Sequence, residues 1–361
     1  MEPLEASLII ETPSAVSSMD AKGSTVVLGC DDGTVRRYHL PEKRVRKAIM
    51  GLGASVSWLR FSSLKGQENS VWFSCGMNIF CFDLSSPTDL DNIFNHILRL
   101  SDAVLRISIE PEGEDDEINE LAMKKDMMVF TTDSGRVGLV DLETQVVTFM
   151  RQVHRNVAMP ISFVASRVSE ICSGGYDNTL LHFDARTGSL LSHLDLVPTT
   201  SSEDSITPNL SLSPPFALSI AISSNDVIAC STASGHIWIG YGGSRSPTSS
   251  QAKRRSRKWE GLKVSSGLWV KAGNGPIVGV AFLHRDENTL LSLSLGGEVL
   301  CFEIPALWSA GAEATKLWSM SAQQVIKATT LVAEDDYVLI CGVSSKAKGV
   351  MELLKLPSEP S

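Results

Sequence analysis

The sequence lacks the segments that carry a chain into or across a membrane. Its longest apolar run is far shorter than the roughly 20 residues that a membrane-spanning helix needs. The first residues, Met1 to Ala6, place no basic group ahead of an apolar stretch, so we expect no secretory signal peptide. The sequence therefore predicts no membrane partner.

Paired cysteines are missing as well. The seven cysteines are odd in number, none stands in a Cys-x-x-Cys pattern, and all lie in apolar runs. Disulfide frameworks and zinc sites use even sets at short spacings. We therefore expect small buried thiols in a reducing compartment, the nucleus, the cytoplasm or both, rather than a metal or disulfide role. They are Cys30, Cys75, Cys81, Cys172, Cys230, Cys301 and Cys341.

An excess of positive charge is also absent. The 41 Asp and Glu residues outnumber the 32 Lys and Arg residues, which gives a net charge of −9. Such a surface repels nucleic acid as a whole, so any contact with it would have to be local. The composition, 43% hydrophobic and 20% charged, is that of a folded globular chain and excludes wholesale disorder.

Catalytic and cofactor motifs are missing too. The chain has no Walker loop, no His-Glu-x-x-His, no zinc spacing and no Gly-x-Ser-x-Gly. His154, Ser173 and Asp177 have the residue types of a hydrolase triad, but the repeat described next gives each of them a structural place. We therefore predict that the protein is not an enzyme and binds no cofactor or metal.

What the chain does contain is an internal repeat. An apolar run ends in small residues, a turn of Gly, Asp or Asn follows, and an alternating run ends in an aromatic or aliphatic residue. Each copy has the strand length and turn residues of a β-hairpin. Seven copies begin at Val26, Val71, Met128, Ile171, Val227, Leu290 and Val338.

Other short apolar segments flank most of the hairpins. One precedes them, as at Ile277–Phe282, and another follows several of them, as at Thr315–Met320. Three antiparallel strands and a fourth outer one make a propeller blade. The N-terminal run Ala6–Ile10 is placed to add the outer strand of the last blade beside Leu353–Leu356, which would close the ring without a raw sheet edge.

The best-formed copy, Ile171–Arg186, resembles a WD-repeat hairpin, and nearly the whole chain resembles the WD-repeat family. Phe-Asp, Val-Asp and Phe-Glu stand where the family has Trp-Asp. The resemblance implies an all-β, seven-bladed WD-repeat β-propeller in a single closed domain. It also implies that His154, Ser173 and Asp177, with Phe183 in the aromatic place, form a hydrogen-bonded network that holds blade four together.

The predicted domain spans residues 1–361. The approximate blades are 11–50, 51–100, 115–152, 154–195, 208–270, 275–320, and 322–357 with 5–10. Within these bounds we expect a solvated acidic loop at Glu110–Glu117 rather than a calcium site. The apolar spacing in Asp89–Leu100 favours a helical lead-in to a strand, with the outer strand of blade two as the alternative.

The resemblance also implies a binding scaffold. Many WD-repeat proteins are substrate receptors of cullin-four ubiquitin ligases and dock to the triple-propeller adaptor through a box ending in aromatic-Asp-x-Arg. Phe183-Asp184-Ala185-Arg186 fits that ending, with Phe in place of the usual Trp. Arg186 would supply a fork of N–H donors that Asp184 orients. Most of the box is common to any WD hairpin, so a chance match remains the alternative.

A basic run points to a second function, that of a WD-repeat subunit in a nuclear assembly such as a ribosome-biogenesis or chromatin complex. It lies in a predicted flexible loop, residues 242–258, and it fits a nuclear localisation signal, a contact for an acidic or phosphorylated partner, or a merely solvated loop. In either function we expect a monomeric propeller within a complex of proteins. The basic residues are Lys253, Arg254, Arg255, Arg257 and Lys258.

Overall fold

The computed structural model describes residues 8–85, 97–197, 213–242, 259–307, 309 and 311–357. Their strands form seven sheets arranged around a common axis, so the chain is a seven-bladed β-propeller, as predicted. Within this part of the chain, no helix is both long and apolar enough to cross a membrane.

Each blade is an antiparallel meander whose first strand lines the axis and whose last strand lies at the rim. Blade one consists of β2 (Val16–Lys22), β3 (Thr25–Cys30), β4 (Val35–His39) and β5 (Val45–Ile49). Blade two consists of β6 (Val56–Phe61), β7 (Ser70–Cys75), β8 (Asn78–Asp83) and β10 (Leu105–Ser108). Blade three consists of β11 (Ile118–Lys124), β12 (Met127–Thr132), β13 (Val137–Asp141) and β14 (Val147–Phe149).

The remaining blades follow the same order. Blades four to seven consist of β15 (Ala158–Phe163), β16 (Glu170–Gly175), β17 (Thr179–Asp184) and β18 (Ser189–Asp195); β19 (Ala217–Ile222), β20 (Val227–Thr232), β21 (His236–Tyr241) and β22 (Gly267–Lys271); β23 (Ile277–Phe282), β24 (Thr289–Ser294), β25 (Glu298–Glu303) and β26 (Thr315–Ser321); and β27 (Val325–Ala333), β28 (Tyr337–Ser344), β29 (Gly349–Lys355) and β1 (Leu8–Thr12). Short 3₁₀ turns occupy Leu100–Asp102 and Val264–Ser266.

The turn between the second and third strands explains why the repeat recurs so regularly. Its tight geometry needs one residue with positive φ, which glycine adopts at little cost. Gly135 and Gly235 hold this place at φ 84°, and Asn178 holds it in blade four at φ 61°. The Gly and Asn residues seen in the sequence repeat are therefore the residues that reverse the chain.

The hydrophobic core is divided into seven clusters, each shared by two neighbouring blades. Phe183 of blade four, for example, packs with Val129 of blade three, and Ile340 of blade seven packs with Leu291 of blade six. All seven cysteines are free and buried in this core, which confirms the prediction of small buried thiols. Because each cluster draws on two blades, closing the ring buries apolar side chains that two unpaired end blades would expose.

The first and last blades are joined by the N-terminal strand. β1 pairs antiparallel with β29, so that Leu8 faces Leu353 and Thr12 faces Gly349. This confirms the prediction that an N-terminal strand completes the last blade. The pairing holds the two ends of the described chain in one sheet.

The segment Asp89–Leu100 does not form the outer strand of blade two, which was the alternative expected for it, and most of the expected helical lead-in lies outside the described residues. Of Asp89–Leu100, residues 89–96 lie outside the described part of the chain, and Ile97–Leu98 form β9, which pairs parallel with β5 of blade one. The outer strand of blade two is β10, which pairs with β8 further along the chain. Pairing across blades is non-local, and the apolar spacing of one segment carries no information about it.

Candidate functional site

A hydrogen-bonded network in blade four joins residues that are distant in the sequence. His154 Nε2 lies 2.9 Å from Ser173 Oγ, and His154 Nδ1 lies 3.1 Å from Asp177 Oδ1. Asp177 also accepts the Arg155 N–H at 2.9 Å and the Thr179 hydroxyl at 2.8 Å. Since a carboxylate only accepts, Nδ1 carries the imidazole proton and Nε2 accepts the Ser173 hydroxyl. The network ties the connection from blade three to the hairpin of blade four.

The electrostatics of this network favour an ionised Asp177. Burial raises the pKa of Asp177, but the hydrogen bonds from His154 and from the Arg155 N–H outweigh it and hold the pKa at about 2. Ser173 is fully buried and His154 is 2% exposed. The Ser173 oxygen is thus enclosed by the described residues, unlike the solvent-open serine of a hydrolytic triad.

The end of the blade-four hairpin presents one residue of the Phe-Asp-x-Arg box to solvent. Phe183 is fully buried between blades three and four. Asp184 Oδ1 accepts the Ser169 hydroxyl at 2.9 Å and the backbone N–H of Arg186 at 3.1 Å. Arg186 is exposed in the turn between β17 and β18. Asp184 thus fixes the backbone from which Arg186 projects.

The charge of Arg186 acts on blade three. Hydrogen bonds from Thr144 lower the pKa of Asp141, and the nearby Arg186 guanidinium lowers it further. Within the described ranges, no carboxylate lies within ion-pair distance of Arg186. Arg186 is therefore an exposed residue without a direct ion pair to a described carboxylate.

The first strand of every blade exposes one backbone edge, and side chains from neighbouring blades satisfy several of these edges across the blade junctions. Such an edge would otherwise leave N–H and C=O groups unpaired. Asp20 Oδ2 accepts the Phe61 N–H at 2.7 Å from blade one to blade two, and Thr329 Oγ1 donates to the Val16 carbonyl at 2.7 Å from blade seven to blade one. These bonds close the ring around its axis.

A channel of two joined cavities runs along the axis. The wider cavity, the channel mouth, has a volume of about 540 Å³ and lies where the first strands end. The inner cavity has a volume of about 210 Å³ and is lined mainly by hydroxyl and aliphatic side chains. Both are lined by Arg60, Ile220, Val280 and Leu331, which form a collar between them.

Charged side chains line this channel, and the sequence analysis did not identify them as a site. Asp20, Glu287 and Glu334 line the mouth, and Glu120 lines the inner cavity. Burial raises the pKa of Asp20 and of Glu334, and it raises the pKa of Glu120 to about 8. The available signal was a carboxylate inside a short apolar segment that precedes a hairpin, as at Glu120, where an apolar residue is the usual choice.

The acidic loop before blade three is partly built into the fold. The expectation of a solvated loop at Glu110–Glu117 fails for Asp116, which is buried and pairs with Arg136 at 2.8 Å. Asp116 also accepts the Ser134 N–H at 3.0 Å. Glu114 and Asp115 are exposed, as expected.

The basic residues Lys253, Arg254, Arg255, Arg257 and Lys258 lie outside the described part of the chain. The residue that follows them is firmly anchored. Trp259 is 1% exposed, donates its Nε1–H to the Asp226 carbonyl at 2.9 Å, and meets the His182 ring edge-on with the ring centroids 4.7 Å apart.

A metal site has no support in the described ranges, where no group of three or more His, Cys, Asp or Glu side chains is placed to hold an ion. Comparison of this chain with protein-family models and with curated proteins finds no match.

Proposed function

We propose that this chain is a non-catalytic protein-interaction scaffold of the WD-repeat type, working in the nucleus, the cytoplasm or both. A seven-bladed propeller is commonly such a scaffold, since its turns form two broad faces around a rigid ring. The blade-four network supports the WD-repeat assignment because His154, Ser173 and Asp177 stand where that family has His, Ser and Asp, and the buried Phe183 stands where it has an aromatic. The buried thiols fit a reducing compartment.

A narrower resemblance, to WD repeat-containing protein 53, comes from the middle of the chain. It rests on Glu117–Leu121, Asp133–Glu143 and the segments that begin at Pro208 and Ala217. Together with the Phe183-Asp184-Ala185-Arg186 box, it leads us to propose that the protein is a substrate receptor of a cullin-four ubiquitin ligase.

The exposed guanidinium of Arg186 is the observation that carries this proposal. It projects from a backbone that Asp184 holds, and no carboxylate in the described ranges neutralises it by direct pairing. A planar fork of N–H donors suits carbonyl or carboxylate acceptors on a partner. Phe183 would contribute by fixing the end of the strand, since it is buried.

The test measures binding of purified triple-propeller adaptor to the full chain by biolayer interferometry. Arg186→Ala should weaken binding about tenfold or more, because it removes a charge-assisted fork at the interface. Arg155→Ala is the matched control, since Arg155 is also exposed but lies in a different turn region. Absence of adaptor binding, or equal binding by both variants, would remove the ligase proposal.

The alternative is a subunit of a nuclear assembly, and the basic run Lys253–Lys258 is the observation in its favour. Co-migration of the chain with a large particle on a gradient, lost when the five basic residues are changed to glutamine, would support it. A lone species of about 39 kDa in nuclear extract would contradict it.

A further inference from the structure

The channel mouth has the chemistry of a site for a cation. Its wall carries three carboxylates, Asp20, Glu287 and Glu334, against the guanidinium of Arg60 and the exposed imidazole of His284. Arg60 Nη1 lies 3.7 Å from Asp20 Oδ1, too far for a hydrogen bond, so even this pair is loose. Three carboxylates against one guanidinium leave a net negative potential in a concave space, where it acts more strongly than on an open surface.

One carboxylate at the mouth is left incomplete by the protein. Glu287 Oε1 accepts the Ser224 hydroxyl, but Glu287 Oε2 is buried and has no hydrogen-bond partner among the described residues. A buried carboxylate oxygen without a donor carries a desolvation cost that a ligand donor would remove. This orphaned acceptor is independent of the charge count and points to a donor supplied from outside the chain.

The channel becomes less charged inward. Beyond the collar, Glu120 accepts the Ile161 N–H. Burial raises the pKa of Glu120 to about 8, although the Arg60 charge and this hydrogen bond lower it. Between the mouth and Glu120, the collar offers the aliphatic side chains of Ile220, Val280 and Leu331. At that pKa Glu120 is mostly uncharged near pH 7, so the negative charge lies at the mouth and the aliphatic collar forms an apolar floor beneath it.

Lys124, a cation near the channel mouth, is already engaged by backbone carbonyls. Lys124 donates its ammonium to the carbonyls of Val164, Ala165 and Arg167 at 2.6–2.8 Å. The carboxylates do not form a group that would hold a metal ion within the described ranges, which argues against a divalent cation as the ligand. An organic cation from another molecule is the ligand that suits these separated carboxylates.

We propose that the channel mouth binds a lysine side chain of a partner protein, with its ammonium between Glu287 and Glu334 and its methylene stem against the aliphatic collar. Lysine fits better than arginine because its ammonium is compact and its four-carbon stem is apolar, whereas a second guanidinium would crowd Arg60. The proposal deepens the scaffold function and rests on it. It assigns a site separate from Arg186, which lies in the rim-side turns between the third and fourth strands.

The test titrates the full chain with short acetylated and amidated Gly-Ser-X-Ser-Gly peptides by NMR line-shape or calorimetry. X is lysine, norleucine, arginine or glutamate, so norleucine keeps the stem and removes the charge. The lysine peptide should bind about tenfold more tightly than the norleucine peptide, and the advantage should shrink between 10 and 300 mM salt as charges are screened. Tighter binding of the arginine or glutamate peptide would overturn the proposal, as would the absence of lysine-peptide binding.

Variants locate the site. Glu287→Gln with Glu334→Gln removes two charges from the mouth and should weaken lysine-peptide binding about tenfold. The double control Glu114→Gln with Asp115→Asn removes the same charge from the exposed acidic loop and should change binding less than twofold. Equal losses of lysine-peptide affinity in both double variants would show that net charge causes the effect and would refute the site. Urea unfolding of each variant verifies that it folds.

Arg186→Ala distinguishes this proposal from the ligase proposal. It should leave peptide binding unchanged, because Arg186 does not line the channel. Adaptor binding without lysine-peptide binding would refute the channel site and leave the ligase proposal intact. Peptide binding without adaptor capture would sink the ligase role and leave the channel site standing.

Discussion

Changing Asp177 to asparagine provides a direct test of the blade-four network. The substitution keeps the shape of the side chain and removes its charge, so the packing around His154 and Thr179 is preserved. The Asp177 side chain is 9% exposed, which limits screening by solvent. The effect should therefore reflect the charge-assisted hydrogen bonds from His154 and the Arg155 N–H rather than a cavity.

The magnitude follows from the pKa. The folded pKa of Asp177 is about 2, against an ordinary value of 3.8. A difference of nearly 2 pKa units is worth about 2 kcal/mol of stability, at about 1.4 kcal/mol per unit. Because the folded pKa is depressed, this stability is fully present above pH 4 to 5 and is lost as the pH falls toward 2. About 1 kcal/mol of it should be gone at pH 3.

The assay is urea unfolding of the wild type and Asp177→Asn at several pH values between 6 and 3, with equal m-values as the condition for comparison. The wild type should be about 2 kcal/mol more stable at pH 6, and the gap should narrow by about half at pH 3. Asp195→Asn is the control, since Asp195 is exposed on the same blade. A gap that does not change with pH would refute the electrostatic account, and so would the same narrowing in the control.

Three further predictions concern stability and the thiols. Glu352→Gln should lower the free energy of unfolding in urea by about 2–4 kcal/mol. The reason is that the fully buried Glu352 carboxylate accepts the backbone N–H groups of residues 323–325 at 2.5–2.8 Å. The control Glu303→Gln, at an exposed residue, should change that free energy by less than about 0.5 kcal/mol. Trp259→Phe should lower the free energy of unfolding by about 2–3 kcal/mol in the same assay, because it leaves the Asp226 carbonyl without the indole N–H and opens a gap in the core. A change below about 0.5 kcal/mol would show that neither contact of Trp259 stabilises the fold. Iodoacetamide at pH 8 should leave all seven thiols of the native protein unmodified and should label all seven in urea, as measured by mass spectrometry. The reason is that burial shields the thiols and raises their pKa values, to about 12 at Cys81. Rapid labelling of the native protein would contradict the buried positions of the thiols.

The hairpins were predictable because their information is local. A turn that needs positive φ selects Gly or Asn, as at Gly135 and Asn178, and the strands on either side have a period of two. The repetition supplied the tertiary information that one hairpin lacks. A single small sheet cannot bury its apolar faces, so seven copies indicate sheets that pack against one another. Seven copies and a spare N-terminal strand were enough to predict the closed ring.

The channel was not predictable in the same way. Asp20 and Glu120 lie in the first strands of their blades. The alternation of polar and apolar residues along a strand shows that its two faces differ, but it does not show which side chains line the central axis. Their raised pKa values come from burial among first strands of other blades, up to about 300 residues away in the chain, as the bond from Thr329 to Val16 illustrates. The same limit explains why Asp116 was expected to be solvated, since its partner Arg136 lies across a turn in the next blade.

The sequence by itself determined the number of blades, the hairpin turns, the burial of the thiols and the places of His154, Ser173 and Asp177, because each depends on local periodicity repeated seven times. Only the tertiary structure decided that β9 joins blade one, that Phe183 is buried while Arg186 is exposed, and that four carboxylates converge on one channel. Closing the ring brings together residues from every blade, and a contact between blades leaves no trace in the pattern of either one.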